Sequence, residues 1–472
     1  MTATTAKPKR KNPILRSRVP TLPPDRRSRT ALGLARGAAT GRLELQHCAG
    51  CGAVQYPPRE ACATCLSTEL EWRPTDGQGE LLADTLVRHS QELYFRERAP
   101  WRTGLIRLDA GVSVVAHLTE GCPAAPARVV VQAALDRSGQ AVLVAGPAGR
   151  APVLAEDAKL RDLTADPRGR KILVTDAKSP VGQAMVKALA EAGAELVWAG
   201  EAEPWCKPPG WDAVTAMPGV TVVPLDVTDS KSVEELASEL GFKVDILVNT
   251  AEYRRAHGLF GRAGVETAQA EMETNCFGLM RLAKAFGPVM RARGADGIAN
   301  SAVAWVNLLS VAALSNDPQR ATYSVSQAAA LSVAQALRAE LRHGGVRVIN
   351  LFPGPIDDEW NQEILPPKLA PAVLARAAVT ALKGSVEDVF PAMSPRSGWP
   401  ATVRTPRLWK RNSADDRPRP CQPAAPAARR PCRGRGAGGR SDPDAVARLS
   451  HHHPAARDGP EPSLPHGGDL GL

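Results

Sequence analysis

Aromatic residues are scarce in this chain, at 4% of 472 residues. No apolar run reaches the roughly 18 residues that a membrane-spanning helix needs. The basic start contains no apolar core followed by a cleavage site, so it does not form a secretory signal; an organellar transit peptide is the weaker interpretation. Nine cysteines without such a signal indicate a reducing compartment with free or metal-bound thiols. We therefore expect a cytoplasmic protein that does not enter a membrane.

The net charge of +10 comes from the two ends of the chain. Residues 1–40 hold ten Lys or Arg against one acid, and residues 392–472 hold fourteen against seven, which leaves residues 41–391 with −6. Neither end shows interleaved aromatics or a basic helix face, so we favour solvated tails over contact with nucleic acid or membranes. Both ends lack a helical or strand period, and we predict that both are disordered.

The C-terminal tail has a second interpretation. If the codons of Ala392–Pro400 are read one base earlier, they can encode GDVAQEWLA, and those of Thr405–Ser413 can encode DPKALETEF. This shifted reading is acidic and helix-forming, whereas the tail as written is rich in Pro, Arg and Gly. We therefore expect an out-of-frame translation after about residue 391, with a genuine basic tail as the alternative.

Two Cys-x-x-Cys pairs, Cys48 with Cys51 and Cys62 with Cys65, are separated by ten residues. Pairs with this spacing supply four thiolates for a tetrahedral metal, and the adjacent glycines permit tight turns. A closed four-cysteine site more often holds structural zinc than a rubredoxin-type iron. We predict a zinc ribbon over residues 41–69 with these four cysteines as its ligands.

The rest of the chain divides into two further folded parts. Short alternating apolar runs in residues 70–150, separated by Gly, Asp and Pro turns, predict a small β-barrel. Residues 151–170 form a linker. In residues 171–391, buried strands alternate with amphipathic helices, which predicts a doubly wound parallel sheet.

The ribbon and barrel, in CAGCGAVQYPPREACATCLSTELEW and GQGELLADTLV, resemble the zinc-ribbon/OB-fold family associated with acyl-CoA. The resemblance covers about residues 41–150. It implies an OB-like barrel that binds rather than catalyses, and a thiolase-like, aldolase or hydratase partner acting on acyl-CoA thioesters. OB-folds also bind oligonucleotides, but this barrel lacks the basic and aromatic pattern required, so we predict no nucleic-acid partner.

The order of motifs in residues 171–391 resembles the short-chain dehydrogenase/reductase family. The predicted fold class is therefore α/β, a Rossmann doubly wound sheet preceded by a rubredoxin-like zinc ribbon and an OB-like barrel. By this resemblance, eight residues match positions that bind NAD or NADP. They are Thr175, Gly182, Asp226, Val227, Asn249, Ala251, Pro353 and Gly354. The segment from Trp198 to Glu201 has no Arg where NADP enzymes place one, which favours NAD.

The first loop departs from the family pattern T-G-x-x-x-G-x-G. Asp176 places a carboxylate where a phosphate should bind nearby, and Pro180 removes one N–H donor. Lys178 offsets part of the added negative charge. We therefore expect weakened cofactor binding.

The resemblance also implies hydride transfer between nicotinamide and a carbonyl or alcohol carbon. In this scheme Tyr323 donates or accepts the proton, Ser310 holds the substrate oxygen, and Asn275 anchors a water chain. Gln327 stands where the family has lysine. A free tyrosine titrates near ~10, so it is a poor base without a neighbouring cation.

Two cations could take the place of the missing lysine if the geometry allows it, namely Arg320 and Lys178. Two functional hypotheses therefore stay open. The first is an NAD(P)-dependent oxidoreductase acting on an acyl-CoA-linked or lipid/steroid-type hydroxy or keto substrate. The second is a non-catalytic subunit that assembles with a thiolase-like or aldolase protein. In both cases we expect a homo-oligomer formed through the Rossmann domain.

Overall fold

The computed structural model describes residues 22–24, 28–157, 159–255, 258–260, 264–293 and 301–391. Both predictions for the tail at residues 392–472 lie outside these residues. The strands are β1 Leu43–Cys48, β2 Val54–Gln55, β3 Leu70–Thr75, β4 Gln78–Val87, β5 Trp101–Leu108, β6 Ser113–Leu118, β7 Ala127–Leu135, β8 Ala141–Pro147, β9 Lys171–Val174, β10 Leu196–Glu201, β11 Val220–Pro224, β12 Ile246–Asn249, β13 Ala304–Leu308, β14 Arg347–Leu351 and β15 Asp388–Val389. The helices are α1 Leu32–Ala39, α2 Leu93–Glu97, α3 Pro180–Glu191, α4 Trp211–Thr215, α5 Ser230–Leu240, α6 Gly264–Met272, α7 Leu279–Arg293, α8 Ala321–Arg342 and α9 Pro371–Gly384.

The amino-terminal half contains the predicted ribbon and barrel. Strands β1 to β3 form an antiparallel sheet in the order β2-β1-β3. Strands β4 to β8 close into a barrel in the order β4-β5-β6-β8-β7, in which only β6 and β8 run parallel. Five strands in a closed Greek-key barrel are the OB architecture. Alternate residues such as Leu81, Ile106 and Val129 point into a fully buried core.

The carboxyl-terminal half is a seven-stranded parallel sheet in the order β11-β10-β9-β12-β13-β14-β15. Its central strands are buried on both faces, which explains their continuous apolar runs. Helices α3 and α9 cover one face, and α5, α7 and α8 cover the other. The chain runs outward from β9 to β11 and returns at β12, so ligands are expected beyond the carboxyl ends of β9 and β12. The predicted α/β fold class is confirmed.

None of the helices in the described part of the chain combines the length with the apolar composition that crossing a bilayer requires.

The N-terminal segment corrects one prediction, because part of the expected disordered tail at residues 1–40 is folded. Helix α1 packs Leu34 and Ala38 against β1 and β7. On the same helix Gly33 lies against the indole of Trp72, where an added Cβ would come within 2.0 Å of the ring. The helix is too short to show a clear period, and its packing depends on small residues that composition alone does not distinguish from a linker.

The predicted linker at residues 151–170 is a packed connector. Leu160 and Leu163 are buried in a cluster with Tyr94 and Trp101 of the barrel half. The connector therefore fixes the barrel to the parallel sheet instead of tethering it loosely.

The turn between β7 and β8 docks the barrel onto the amino-terminal edge of the parallel sheet. The Arg137 guanidinium donates to the carbonyl oxygens of Ala302 at 2.9 Å and Gly345 at 3.0 Å, which precede β13 and β14. It also pairs with Asp162 of the connector at 3.4 Å. Asp162 is fully buried and pairs with Arg98 at 3.0 Å as well. Asp162 of the connector thus binds two arginines of the barrel half, and one of them, Arg137, also contacts the sheet.

We predict that Asp162→Asn lowers the free energy of unfolding by about 3–5 kcal/mol, because it removes the buried carboxylate that pairs with both Arg137 and Arg98. Burial would raise the pKa of Asp162, but Arg137 and Arg98 outweigh burial and lower it. The stabilisation is therefore present at neutral pH and lost as the pH falls through the lowered pKa. Denaturant unfolding at pH 7 and at acid pH measures both effects.

The matched control is Asp109→Asn, which removes an exposed ion pair with Arg128 in the same barrel. Exposed pairs contribute about 0–1 kcal/mol, so this variant should unfold close to wild type. Equal losses from the two substitutions would contradict the role given to Asp162.

Candidate active site

Tyr323 and Ser310, the predicted catalytic pair, both lie beyond the carboxyl end of β13, and their catalytic role stays a prediction. Ser310 follows β13, and Tyr323 lies in the first turn of α8 with 2% of its surface exposed. The Ser310 hydroxyl lowers the pKa of the Tyr323 phenol, although other neighbours outweigh it. With Gly354 and Pro355 from the loop after β14, they line a cavity of about 280 Å³. The cavity lies at the edge where the topology predicts a ligand.

Asn275 joins two parts of this site. It lies in a single π-helical turn between α6 and α7, a feature that recurs at functional sites. Its Oδ1 accepts from the N–H of Tyr253 at 2.9 Å, and its Nδ2 donates to the carbonyl oxygen of Tyr253 at 2.8 Å and to Ser326 Oγ at 2.9 Å. The amide therefore clamps the loop after β12 to α8. Its role in anchoring a water chain stays a prediction.

Gln327 lies one helical turn after Tyr323 and is 1% exposed. Its Oε1 accepts no hydrogen bond from the part of the chain that the structure describes. Each of the two cations considered as substitutes for a lysine pairs with another acidic side chain. The amine of Lys178 is held at the end of β10 by Glu201. Arg320 lines the same cavity as Tyr323, but it pairs with Asp317 at 2.8 Å.

Three charged residues that the sequence analysis did not identify form a series that begins next to Tyr323. The first of them contacts the phenol. The Tyr323 hydroxyl donates to the carboxylate of Glu252. Glu252 lies 3.9 Å from the guanidinium of Arg254, which also pairs with Asp358. Glu252 takes the place of the final glycine in the family's N-N-A-G segment. A charged residue in place of this glycine was the one signal in the sequence that could have pointed to an altered site. It could not identify Tyr323 as the partner, because Tyr323 lies 71 residues away.

These neighbours raise the pKa of Tyr323 well above its usual value. Burial removes solvent from the phenolate, and the carboxylate of Glu252 repels it. Arg254 and the Ser310 hydroxyl act in the opposite direction without compensating. Tyr323 is therefore protonated at neutral pH, whereas the family resemblance implies a tyrosine whose pKa a nearby cation lowers.

The first loop of the Rossmann half is tied to the end of β12. Thr175 Oγ1 donates to Asn249 Oδ1 at 2.8 Å, and Thr250 bonds to both backbone groups of Asp176. In the first turn of α3, a Cβ on Gly182 would come within 1.9 Å of the Asp176 carbonyl oxygen. This glycine is thus required by the close approach of loop and helix.

Asp176 places an internal anion in this loop. Its Oδ1 faces the N–H groups of Lys178 at 3.3 Å and Ser179 at 3.4 Å, while Pro180 offers no N–H. Burial raises the pKa of Asp176, and the nearby charge of Glu252 adds to the rise. The backbone N–H groups that would bind a pyrophosphate in this loop therefore already face the carboxylate of Asp176.

The eight predicted cofactor-binding residues all lie along the carboxyl-terminal edge of the sheet or in the first turn of α3. They are Thr175, Gly182, Asp226, Val227, Asn249, Ala251, Pro353 and Gly354. Beyond β10, the carboxylate of Glu201 pairs with the Lys178 amine at 2.9 Å. The arrangement fits an adenosine along this edge and opposes the pyrophosphate at one position. Binding by these residues stays a prediction.

The four ribbon cysteines converge as predicted, with all four Sγ atoms within 4.8 Å of one another. Cys48 and Cys65 are 3.5 Å apart, and Cys51 and Cys62 are 3.6 Å apart. Thiolates at about 2.3 Å from a tetrahedral zinc are about 3.8 Å from each other, so the cluster fits this metal. Backbone N–H groups of Cys65 and Thr64 lower the pKa of the Cys62 thiol to about 6, whereas the neighbouring thiols leave the pKa of Cys51 and Cys65 raised. The zinc assignment therefore rests on the convergence of the four sulfur atoms.

The two knuckles repeat one backbone pattern. The N–H of Gly52 donates to the Cys48 carbonyl oxygen, and the N–H of Leu66 donates to that of Cys62. Gly52 and Leu66 have φ angles of 73° and 63°. Glycine adopts this conformation without strain, whereas Leu66 is held in it by the knuckle.

Comparison with known proteins matches three consecutive parts of the chain. Residues 35–71 match the family described as ChsH2, rubredoxin-like zinc ribbon domain, and residues 72–134 match ChsH2, C-terminal OB-fold domain. Residues 176–393 match Enoyl-(Acyl carrier protein) reductase. A 1-deoxy-11-beta-hydroxypentalenate dehydrogenase of Streptomyces exfoliatus is 30% identical over 210 residues, 42% of this chain and 72% of that protein. The chain belongs to the short-chain dehydrogenase/reductase family.

Two further relatives match the same kind of domain. An uncharacterized oxidoreductase of Staphylococcus haemolyticus is 29% identical over 192 residues, 40% of this chain and 79% of that protein. A crystal structure of a short chain dehydrogenase from Burkholderia cenocepacia in complex with NADP is 31% identical, with a TM-score of 0.45. It covers 53% of this chain and 95% of that one. This short-chain dehydrogenase/reductase thus carries its oxidoreductase domain behind a zinc ribbon and an OB-fold.

We predict that metal analysis finds about one zinc per chain and that a chelator loosens the ribbon without unfolding the Rossmann domain. Cys62→Ser should have the same effect, because it removes one of four ligands. Hydrogen exchange over residues 41–69 measures the loss, and Cys206→Ser, an exposed cysteine outside the cluster, is the control. A ribbon that keeps its full protection after chelation would refute the zinc assignment.

We predict that Asp176→Asn strengthens NADH binding roughly tenfold or more. A like charge about 4 Å away costs about 1–4 kcal/mol, and a tenfold change in affinity is about 1.4 kcal/mol. Calorimetric titration at low and high salt measures the gain, which should shrink as salt increases. Asp212→Asn, an exposed site on α4, is the control. An affinity that is unchanged or weaker at low salt would show that Asp176 does not oppose the dinucleotide.

Proposed function

We propose that this short-chain dehydrogenase/reductase transfers hydride between NAD and a hydroxy or keto carbon of an acyl-CoA-linked or lipid/steroid-type substrate. The observation that carries the proposal is that Tyr323 and Ser310 line the same 280 Å³ cavity. Two hydroxyl groups that face one cavity can hold a single substrate oxygen between them. The phenol can then exchange a proton with that oxygen.

The dinucleotide would supply the hydride acceptor or donor. Asp226 and Val227 would hold its adenosine, Asn249 its central part, and Pro353 with Gly354 its nicotinamide side. We infer NAD as the cofactor, because the segment after β10 supplies a carboxylate and no arginine. The Lys178 amine neutralises that carboxylate, so we expect a small preference over NADP.

The rim formed by the loops after β12 and β14 carries apolar side chains, which supports a lipid-type substrate. Arg254 of the first loop and Gly354 and Pro355 of the second line the cavity. Farther along these loops the exposed apolar residues are Leu259 at 72%, Phe260 at 103%, Trp360 at 44% and Leu365 at 84%. Exposed apolar surface often marks a ligand-binding groove.

One cation on this rim supports a CoA thioester. The guanidinium of Arg255 lies 5.2 Å from the ring centre of Tyr253 and 5.0 Å from that of Trp360. Its Nε donates to the Tyr253 hydroxyl at 3.0 Å. The side chain is exposed, so its remaining N–H groups can bind a phosphate of CoA while the acyl chain enters the cavity.

The experiment measures turnover with both nicotinamides on a panel of 3-hydroxyacyl-CoA substrates and on the same acyl groups as N-acetylcysteamine thioesters. We predict that Arg255→Ala raises KM for the CoA thioesters roughly tenfold or more, since a charged hydrogen bond contributes about 1.5–3 kcal/mol. The short thioesters, which lack phosphate, should be unaffected.

Arg376→Ala, an exposed site on α9, is the control. Equal KM increases for both thioester types would contradict the phosphate contact. Absence of turnover with either nicotinamide across the panel would contradict the proposed activity itself.

The position of the barrel on the sheet favours a second candidate function, which is assembly with a partner protein. The barrel docks on the amino-terminal edge of the sheet, opposite the cavity, so it does not face the Tyr323 of its own chain. We propose that ribbon and barrel bind a thiolase-like or aldolase protein. We also propose a homo-oligomer through α7 and α8, where Met280 and Val325 are 49% and 55% exposed. A stable complex with such a partner, together with no binding of either nicotinamide, would favour this assembly function alone.

A further inference from the structure

The most unusual contact of the site is the hydrogen bond from a buried tyrosine to a carboxylate. We propose that Glu252 replaces the missing lysine as the proton partner of Tyr323, so that Tyr323 passes the hydroxyl proton of the substrate to Glu252 and the site works in alcohol oxidation. This inference rests on the proposed function and assigns the direction of its reaction.

The geometry holds the two groups together without solvent. Tyr323 is 2% exposed, and the Glu252 side chain is 13% exposed. One carboxylate oxygen accepts from the phenol, and the other lies near Arg254. Asp358 anchors that guanidinium from the loop after β14. Glu252 is therefore fixed on two sides, with one oxygen aimed at the proton it would accept.

The transfer balances in the direction of oxidation. The substrate O–H proton moves to the phenolic oxygen of Tyr323 as the phenol's own proton moves to Glu252. The carbinol C–H bond breaks and its electron pair leaves as hydride, for which NAD⁺ would be the acceptor when bound. The carbon is oxidised by two electrons, and its C–O bond becomes C=O. Glu252 ends as a neutral acid, and Tyr323 ends as a phenol.

The opposite direction is disfavoured by charge. The same relay run in reverse reduces a ketone only when Glu252 starts as the neutral acid. With Glu252 as a carboxylate, Tyr323 would have to give up its proton to the substrate and become a phenolate. That phenolate would be buried against the carboxylate of Glu252, and two adjacent anions in a desolvated site repel each other strongly. Gln327 cannot relieve the repulsion, because its amide carries no charge.

A spectroscopic experiment tests the pair in the full chain before any cofactor is added. Alkaline titration of tyrosine absorbance, with Tyr323→Phe to identify the signal, should show Tyr323 ionising at lower pH in Glu252→Gln than in wild type. The charged or polar groups facing Tyr323 are Glu252, Arg254 and Ser310. Unchanged ionisation in Glu252→Gln would overturn the proposal.

Kinetics at saturating NAD then test the transfer. Glu252→Gln should lower the oxidation rate about 10²–10⁴-fold, the usual range for general acid–base help, and Glu252→Asp should restore part of it. Glu234→Gln, an exposed carboxylate on α5, is the control for charge alone. An oxidation rate in Glu252→Gln equal to or above wild type would overturn the proposal. If wild type turns over no substrate, the proposed function fails, while the tyrosine titration still reports on the pair.

Discussion

The common direction of the seven parallel strands divides this protein into two chemically different edges. The carboxyl-terminal edge, where the strands deliver Thr175, Asn249, Ser310 and Gly354, contains the cavity beside Tyr323 and is called the crevice below. At the amino-terminal edge, the segments before β13 and β14 offer backbone carbonyls to Arg137 from the barrel. Attachment of the ribbon and barrel therefore leaves the crevice open, and the two halves can serve separate purposes.

Charge at the crevice is inverted relative to what the family resemblance implies. A lysine is replaced by the neutral Gln327, two loop glycines become Asp176 and Pro180, and a third glycine becomes Glu252. Burial raises the pKa of Asp176, and the charge of Glu252 adds to the rise. We expect these carboxylates to weaken dinucleotide binding, and Glu252 helps Tyr323 to keep its proton. The negative charge of Glu252 suits an oxidation mechanism, in which the site must accept a proton. It opposes a mechanism that requires a stable Tyr323 phenolate.

Some of the molecule could be predicted from sequence because the signals are local. The spacing of four cysteines defines a metal cluster, and uninterrupted apolar runs followed by Gly or Pro define parallel strands. The contact of Glu252 with Tyr323 could not be predicted, because it depends on how a loop and a helix 71 residues apart orient their side chains. The pairing of Lys178 with Glu201 is of the same kind. Helix α1 was not predicted because a segment rich in glycine and alanine has the composition of a linker. Only the structure shows that these small residues pack closely against neighbours such as Trp72.

The proposed function requires that the crevice accept a nicotinamide beside the tyrosine–carboxylate pair. A crystal structure of the full chain soaked in saturating NADH tests this requirement. We predict adenosine along the ends of β9 to β12 and the nicotinamide next to Tyr323, with the bond to Glu252 kept. A crevice without dinucleotide at saturating concentration, or a nicotinamide that displaces Glu252 from Tyr323, would contradict it.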